Sequence, residues 1–196
     1  MKRRHFLLGT SAVAASAAMI LKPQDNGAPY APYFQRLNDE LLVKGPYKPA
    51  LLVDLGRLDK NLETLKSTLS ENVNYRIVAK SLPSPELLDY VMSAMGTNRL
   101  MLFHLPFLQY VANNFHNSDV LLGKPMPVRA AELFYLKHVV DNGFDPSEQL
   151  QWLIDTPERL HEYQLLAKKL DVKLRVNIEI DVGLHRGGVS EPGELT

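Results

Sequence analysis

The chain has no cysteine among its 196 residues. That excludes disulfides, a thiolate nucleophile and thiolate metal sites. It has no net charge either, with 22 Lys+Arg against 22 Asp+Glu. The basic excess that marks a nucleic-acid-binding surface is therefore missing, and no nucleic-acid partner is expected. Its apolar runs are short. The longest, Phe6 to Leu21, falls below the ~20 residues that a membrane-spanning helix needs. Finally, the first predicted strand is followed by Leu55-Gly56-Arg57-Leu58, which has a single glycine. The glycine-rich fingerprint of a dinucleotide-binding fold is absent there.

What is present divides into a head and a body. Residues 1–22 hold Lys2, Arg3, Arg4 and Lys22 and no acid. Taking these four from the 22 basic residues leaves 18 against 22 acids, so the body is mildly acidic. The basic start and the Ala-rich apolar stretch have the layout of an export signal. Arg3-Arg4-His5-Phe6-Leu7 resembles the twin-arginine pattern, which predicts export, to the periplasm in a two-membrane cell, and no stable membrane span once the signal is cleaved. Residues 23–48, with Pro23, Gly27, Pro29, Pro32, Gly45 and Pro46, predict a linker and a short helix around Tyr33–Val43.

From residue 49 the hydrophobic period alternates between strand and helix. Predicted strands are Ala50–Asp54, Tyr75–Lys80, Arg99–Phe103, Asp119–Gly123, Leu150–Asp155 and Lys173–Asp181. Between them, Leu58, Leu62, Leu65 and Leu69 form one helical stripe. Ser84-Pro85-Glu86 opens a second helix as N-cap and first turn, and Gly96 closes it. Pro106–Phe115 and Val128–Val140 are the next helices. Thr156-Pro157 starts the last, with Leu160, Tyr163, Ala167 and Leu170 facing inward. Six strands alternating with five helices predict a parallel α/β fold, and the missing fingerprint favours a barrel over a doubly wound sheet.

In a parallel barrel, functional side chains leave the C-terminal ends of strands. Those ends carry Lys80, His104, Lys124, Asp155 and the group Asp181, His185 and Arg186. Lys80 closes an apolar strand; partial desolvation there would favour the neutral amine that a Schiff base requires. A solvated lysine at a strand end is the plainer alternative. The glycines of Ile180–Gly188 either admit a ligand to the backbone while Arg186 donates to an anionic oxygen, or form a flexible turn. His104 and His185 lack the spacing of a metal set, and no metal site is expected.

Pro49–Leu55, Arg57-Leu58, Asn61, Ile77–Ser81 and the segment 180–189 together resemble the alanine-racemase-type pyridoxal-phosphate enzymes. Within that group the chain is most similar to the D-threonine aldolase and D-serine dehydratase-like branch. The resemblance implies a (β/α)8 TIM barrel of the alanine racemase type over residues 49–196, present in part. The remaining barrel strands and a C-terminal β-domain would lie beyond Thr196, and strand 50–54 would belong to that domain, leaving five barrel strands here. It implies a Lys80 Schiff base with pyridoxal 5′-phosphate and Arg186 near the cofactor's phenolic oxygen, with His185 beside it. An amino acid is the implied substrate and a homodimer the implied assembly. Two positions depart from the branch. Ser81-Leu82-Pro83 replaces Thr-His-Lys after the lysine, and Leu184-His185-Arg186-Gly187 replaces Met-Gly-Arg-Thr. Racemase, aldolase and dehydratase chemistry all stay open, as does a non-catalytic barrel that binds or carries the cofactor. An isolated partial barrel, with an open edge and an uncovered apolar face, is expected to be poorly soluble.

Overall fold

The computed structural model describes residues 27, 29–82, 84–138, 143–191 and 193. The signal-like segment 1–22 lies outside them. The chain divides into two units, Met1–Val53 and Asp54–Thr196.

In the first unit, α1 (Pro32–Lys44) replaces the expected helix with nearly the same bounds. A proline in its first turn supplies the preset φ of a helix start, and Lys44 pairs with Glu40 at 2.7 Å. None of its residues is buried. Ala50–Asp54 forms no strand, and Leu51 is 98% exposed. Apolar, β-branched sequence makes a strand only where a neighbour takes its hydrogen bonds, and none of the described ladders includes it.

The second unit runs α2 (Leu55–Thr68), β1 (Ile77–Val78), a 3-10 turn (Ala79–Ser81), α3 (Pro85–Met95), β2 (Arg99–Leu102), α4 (Leu105–Asn114), β3 (Asp119–Leu122), α5 (Val128–Lys137), α6 (Pro146–Gln149), β4 (Leu150–Ile154), α7 (Pro157–Leu170) and β5 (Arg175–Ile178). All pairings are parallel, and the strands lie in the order β1-β2-β3-β4-β5. That order decides between the two candidate architectures. A doubly wound sheet reverses direction part-way across, whereas a barrel adds each strand on the same side of the last. The sheet is part of a barrel, with five strands in place of the six predicted from the pattern.

The helix boundaries follow from caps. Asp54 Oδ1 accepts from the Arg57 N–H at 3.0 Å, so the end of the expected first strand instead starts α2. Ser84 Oγ accepts from the Leu87 N–H at 3.3 Å, and Gly96 ends α3 in the left-handed conformation at φ 64°. Thr156 Oγ1 does the same for Arg159 at 3.1 Å. The helix expected to reach Val140 is described as far as Lys137, and residues 139–142 lie outside the described set. In α7, Tyr163 and Leu166 are the buried residues, whereas Leu160, expected to face inward, is exposed. The stripe is set by what the helix meets, namely Trp152 on the strand beneath it.

Strand positions alternate in burial as a sheet with one covered face requires. Leu100, Leu102, Val120, Leu122, Leu150, Trp152 and Ile154 are buried in one core with Leu88 and Val91 of α3, Leu108 and Val111 of α4, Phe134 of α5 and Tyr163 of α7. The core phenols and indole are satisfied: Trp152 Nε1 donates to the Tyr135 hydroxyl at 3.1 Å, and Tyr163 donates to the Met126 carbonyl at 3.1 Å. Burial pushes the Tyr135 phenol up to about 12.

Candidate functional site

Lys80 sits in the 3-10 turn after β1, not on the strand itself. Only Ile77 and Val78 pair with β2, so the edge strand ends two residues early. The Lys80 side chain is exposed, which corrects the expectation of a desolvated amine. It is nonetheless placed: its Nζ lies 4.9 Å from the centre of the Phe103 ring, within cation–π range. That ring in turn rests on Gly123 at the end of β3. A Cβ at Gly123 would come within 2.5 Å of Phe103 Cζ and 2.7 Å of Met101 Cγ. The glycine is thus needed for close approach. Lys80, Phe103 and Gly123 end three adjacent strands and make one contiguous piece of the mouth.

The second piece follows β5. Glu179 N–H donates to the Ile154 carbonyl at 2.8 Å, and Val189 returns to the strand, its N–H donating to the Glu179 carbonyl at 2.9 Å. Between these closures the loop wraps around one carboxylate. Asp181 Oδ1 accepts from the Gly183 N–H at 2.9 Å and the His185 N–H at 3.0 Å. Its Oδ2 meets His185 Nδ1 at 2.8 Å. The backbone N–H groups of Gly183 and His185 hold the Asp181 carboxyl below the usual carboxylate range. His185 takes the left-handed conformation at φ 49°. Gly188 has φ 96°, and a Cβ there would stand 2.8 Å from the Glu179 carbonyl oxygen, so the loop closes only over glycine. Arg186 stands exposed at the loop's outer edge.

Strand order puts these two pieces on opposite edges of the sheet, four interstrand steps or about 19 Å apart along it. The register sets their height. Val78 aligns in turn with Met101, Leu121, Gln151 and Arg175, and the β1 ladder ends there, two residues before Lys80. Strands of an eight-stranded barrel with shear eight tilt, so a level layer climbs about one residue per strand, or about four from β1 to β5. The β5 residue level with Val78 is therefore Glu179, so the Lys80 turn and the Asp181 loop leave the sheet from one level. Lys80, Asp181, His185 and Arg186 belong to one rim.

Two of the other strand-end residues have structural duties. His104 caps α4, its Nδ1 accepting from the Phe107 N–H at 3.2 Å while its ring stacks on Phe107. Asp155 faces Arg159 at 3.8 Å, one turn into α7. Lys124 is exposed beyond Gly123. Phe103 and Gly123 escaped notice in the sequence, because a phenylalanine after one strand and a glycine after the next carry no joint signal until the register aligns them.

A family model, alanine racemase N-terminal domain, matches residues 53–196. The chain belongs to this family. Its barrels in general bind pyridoxal phosphate and usually serve amino-acid racemases and lyases, which makes the rim just described the relevant end of the alanine racemase-type sheet. No curated protein matches the chain.

Proposed function

We propose that the chain is a pyridoxal-phosphate-dependent enzyme acting at the α-carbon of an amino acid, of the D-threonine aldolase and D-serine dehydratase-like branch. One observation carries this reading: the Lys80 amine is presented over the Phe103 ring at the C-terminal end of the parallel strands. The donor set fits the cofactor. Lys80 supplies the nucleophilic nitrogen that holds it, and Arg186 supplies a guanidinium for an anionic oxygen. The bound cofactor supplies an electron sink for negative charge at the substrate's α-carbon.

The chain's own residues do the rest. Asp181 fixes the backbone of 183–185, so that Arg186 projects from a built loop and not from a free turn. By accepting from Nδ1, Asp181 leaves His185 Nε2 as the ring nitrogen that can meet a substrate or cofactor oxygen. Phe103 limits the volume in which the Lys80 amine can move. The basic head with its twin arginines supports export as a folded, cofactor-loaded protein, and the absence of cysteine suits an oxidising destination.

The test is chemical. The full chain is incubated with pyridoxal 5′-phosphate, reduced with borohydride and digested. The cofactor mass is expected on the Lys80 peptide and lost in Lys80→Ala. Attachment elsewhere, or undiminished attachment in the variant, overturns the reading. Bound cofactor without turnover of any D- or L-amino acid would identify a carrier instead of an enzyme.

A further inference from the structure

The face of the sheet turned away from the helices carries a hydrogen-bonded chain that the rim does not use. Arg76, just before β1, donates through Nη1 to the Leu100 carbonyl at 2.9 Å and to the Asp119 carbonyl at 2.7 Å. Its Nη2 donates to Asp119 Oδ1 at 2.9 Å, in a half-buried ion pair. The same Oδ1 accepts from Gln151 Nε2 at 2.7 Å. Gln151 Oε1 then accepts from Asn177 Nδ2 at 2.8 Å. Four side chains thereby link β1, β3, β4 and β5 across β2.

The path of this chain is informative. By register Arg76 is level with Arg99, and Arg99 aligns with Asp119. Leu121, not Asp119, aligns with Gln151, so the chain climbs two residues into β4. Gln151 aligns with Arg175, so it climbs two more to reach Asn177. The total of four over four strand steps is the climb of a level barrel layer. The two ends of this cross-tie are therefore level on the barrel, the whole climb being made between Asp119 and Asn177. Its ends lie four residues before Lys80 on β1 and four before Asp181 on β5, one at the foot of each half of the rim.

We propose that Arg76, Asp119, Gln151 and Asn177 are positioning residues that fix the height and separation of Lys80 relative to the Asp181–Arg186 loop. Backbone pairing alone leaves this weakly specified at β1, which has only two residues in its ladder. The cross-tie ties that short edge strand directly to β3, and through Gln151 to the strand that carries the loop. Asp119 is its hub, since its carboxylate accepts from both neighbours; its loss cuts the link onward to Gln151 and leaves Arg76 only its two bonds to the Leu100 and Asp119 backbone carbonyls. The claim rests on Lys80 and Arg186 sharing one site, but its test needs no cofactor, so the two can fail separately.

The cysteine-free sequence makes the measurement direct. Spin labels on Ser81→Cys and Val182→Cys in the full chain report the distance across the rim by pulsed electron resonance. A single narrow distribution is expected for the parent. Asp119→Ala is expected to at least double its width, Asn177→Ala to widen it less, and Asp119→Asn, which retains an acceptor oxygen, to restore most of it. Glu148→Ala removes an exposed pair with Lys173 and is expected to leave the width unchanged. Should Asp119→Ala fail to fold, Asn177→Ala decides. Parent-like widths in the tie variants, or equal widening in Glu148→Ala, would overturn the proposal.

Discussion

Leu121 and Leu122 are neighbours on β3 and point to opposite faces of one sheet. Leu122 is fully buried against the helices, while Leu121 lies half-buried on the face that carries the polar cross-tie. The covered face is apolar from Leu100 to Ile154, with the Trp152 indole and the Tyr163 hydroxyl paired within it. The bare face carries Arg76, Asp119, Gln151 and Asn177 in one hydrogen-bonded path. Apolar contact is non-directional, so the covered face contributes stability without fixing a unique height for each strand. Hydrogen bonds are directional, and those on the bare face set heights. One face holds the sheet together, and the other aligns the residues at its rim.

The largest effect expected to test this contrast comes from that adjacent pair. Leu122→Ala should cost about 2–5 kcal/mol by leaving a cavity in the packed core, and Leu121→Ala about 1 kcal/mol. Denaturant unfolding of both variants checks it, and equal losses would break the contrast. Next, Gly123→Ala should cost roughly 1–3 kcal/mol through overpacking and push the Phe103 ring from beneath Lys80. Combining it with Phe103→Leu should recover much of the stability while leaving cofactor attachment to Lys80 impaired, as the reduced-peptide mass would report.

Thr156→Ala removes one helix cap and should cost about 1 kcal/mol, with no effect on the rim distance. The smallest effect is local and depends on pH. Because the folded-state carboxyl of Asp181 titrates below its ordinary value, its contribution is present above that value, near pH 4. It is lost as the pH falls through the depressed value. Protection of the Gly183 and His185 amides, taken relative to their intrinsic exchange rates, should therefore fall as the pH drops through that depressed value while the core strands stay protected, and Asp181→Asn should abolish that step.

Most element boundaries were legible because local chemistry writes them. Ser84-Pro85, Gly96 and Thr156-Pro157 act within a turn of chain and need no distant partner. The sequence also pointed to Lys80, His185 and Arg186 through strand-end position and resemblance, with Asp181 one strand-end residue among several. Ala50–Asp54 misled, because an apolar β-branched run looks the same whether or not a neighbouring strand exists. Lys80 was expected on a strand and desolvated, yet the two-residue ladder of β1 places it in an exposed turn. Leu160 was assigned inward by its period, but periodicity selects a stripe and the packing partner selects which residues of it are covered.

By itself, then, the sequence determined the alternation of strand and helix, the caps and which side chains stand at strand ends. These follow from propensity, periodicity and short-range hydrogen bonding. Only the tertiary structure decided that the strands run in unbroken order, that Phe103 and Gly123 support Lys80, and that the Lys80 turn and the Asp181 loop leave the sheet from one level. Each of those facts depends on register between segments far apart in the chain. Register is set by which hydrogen bonds the assembled sheet can satisfy at once.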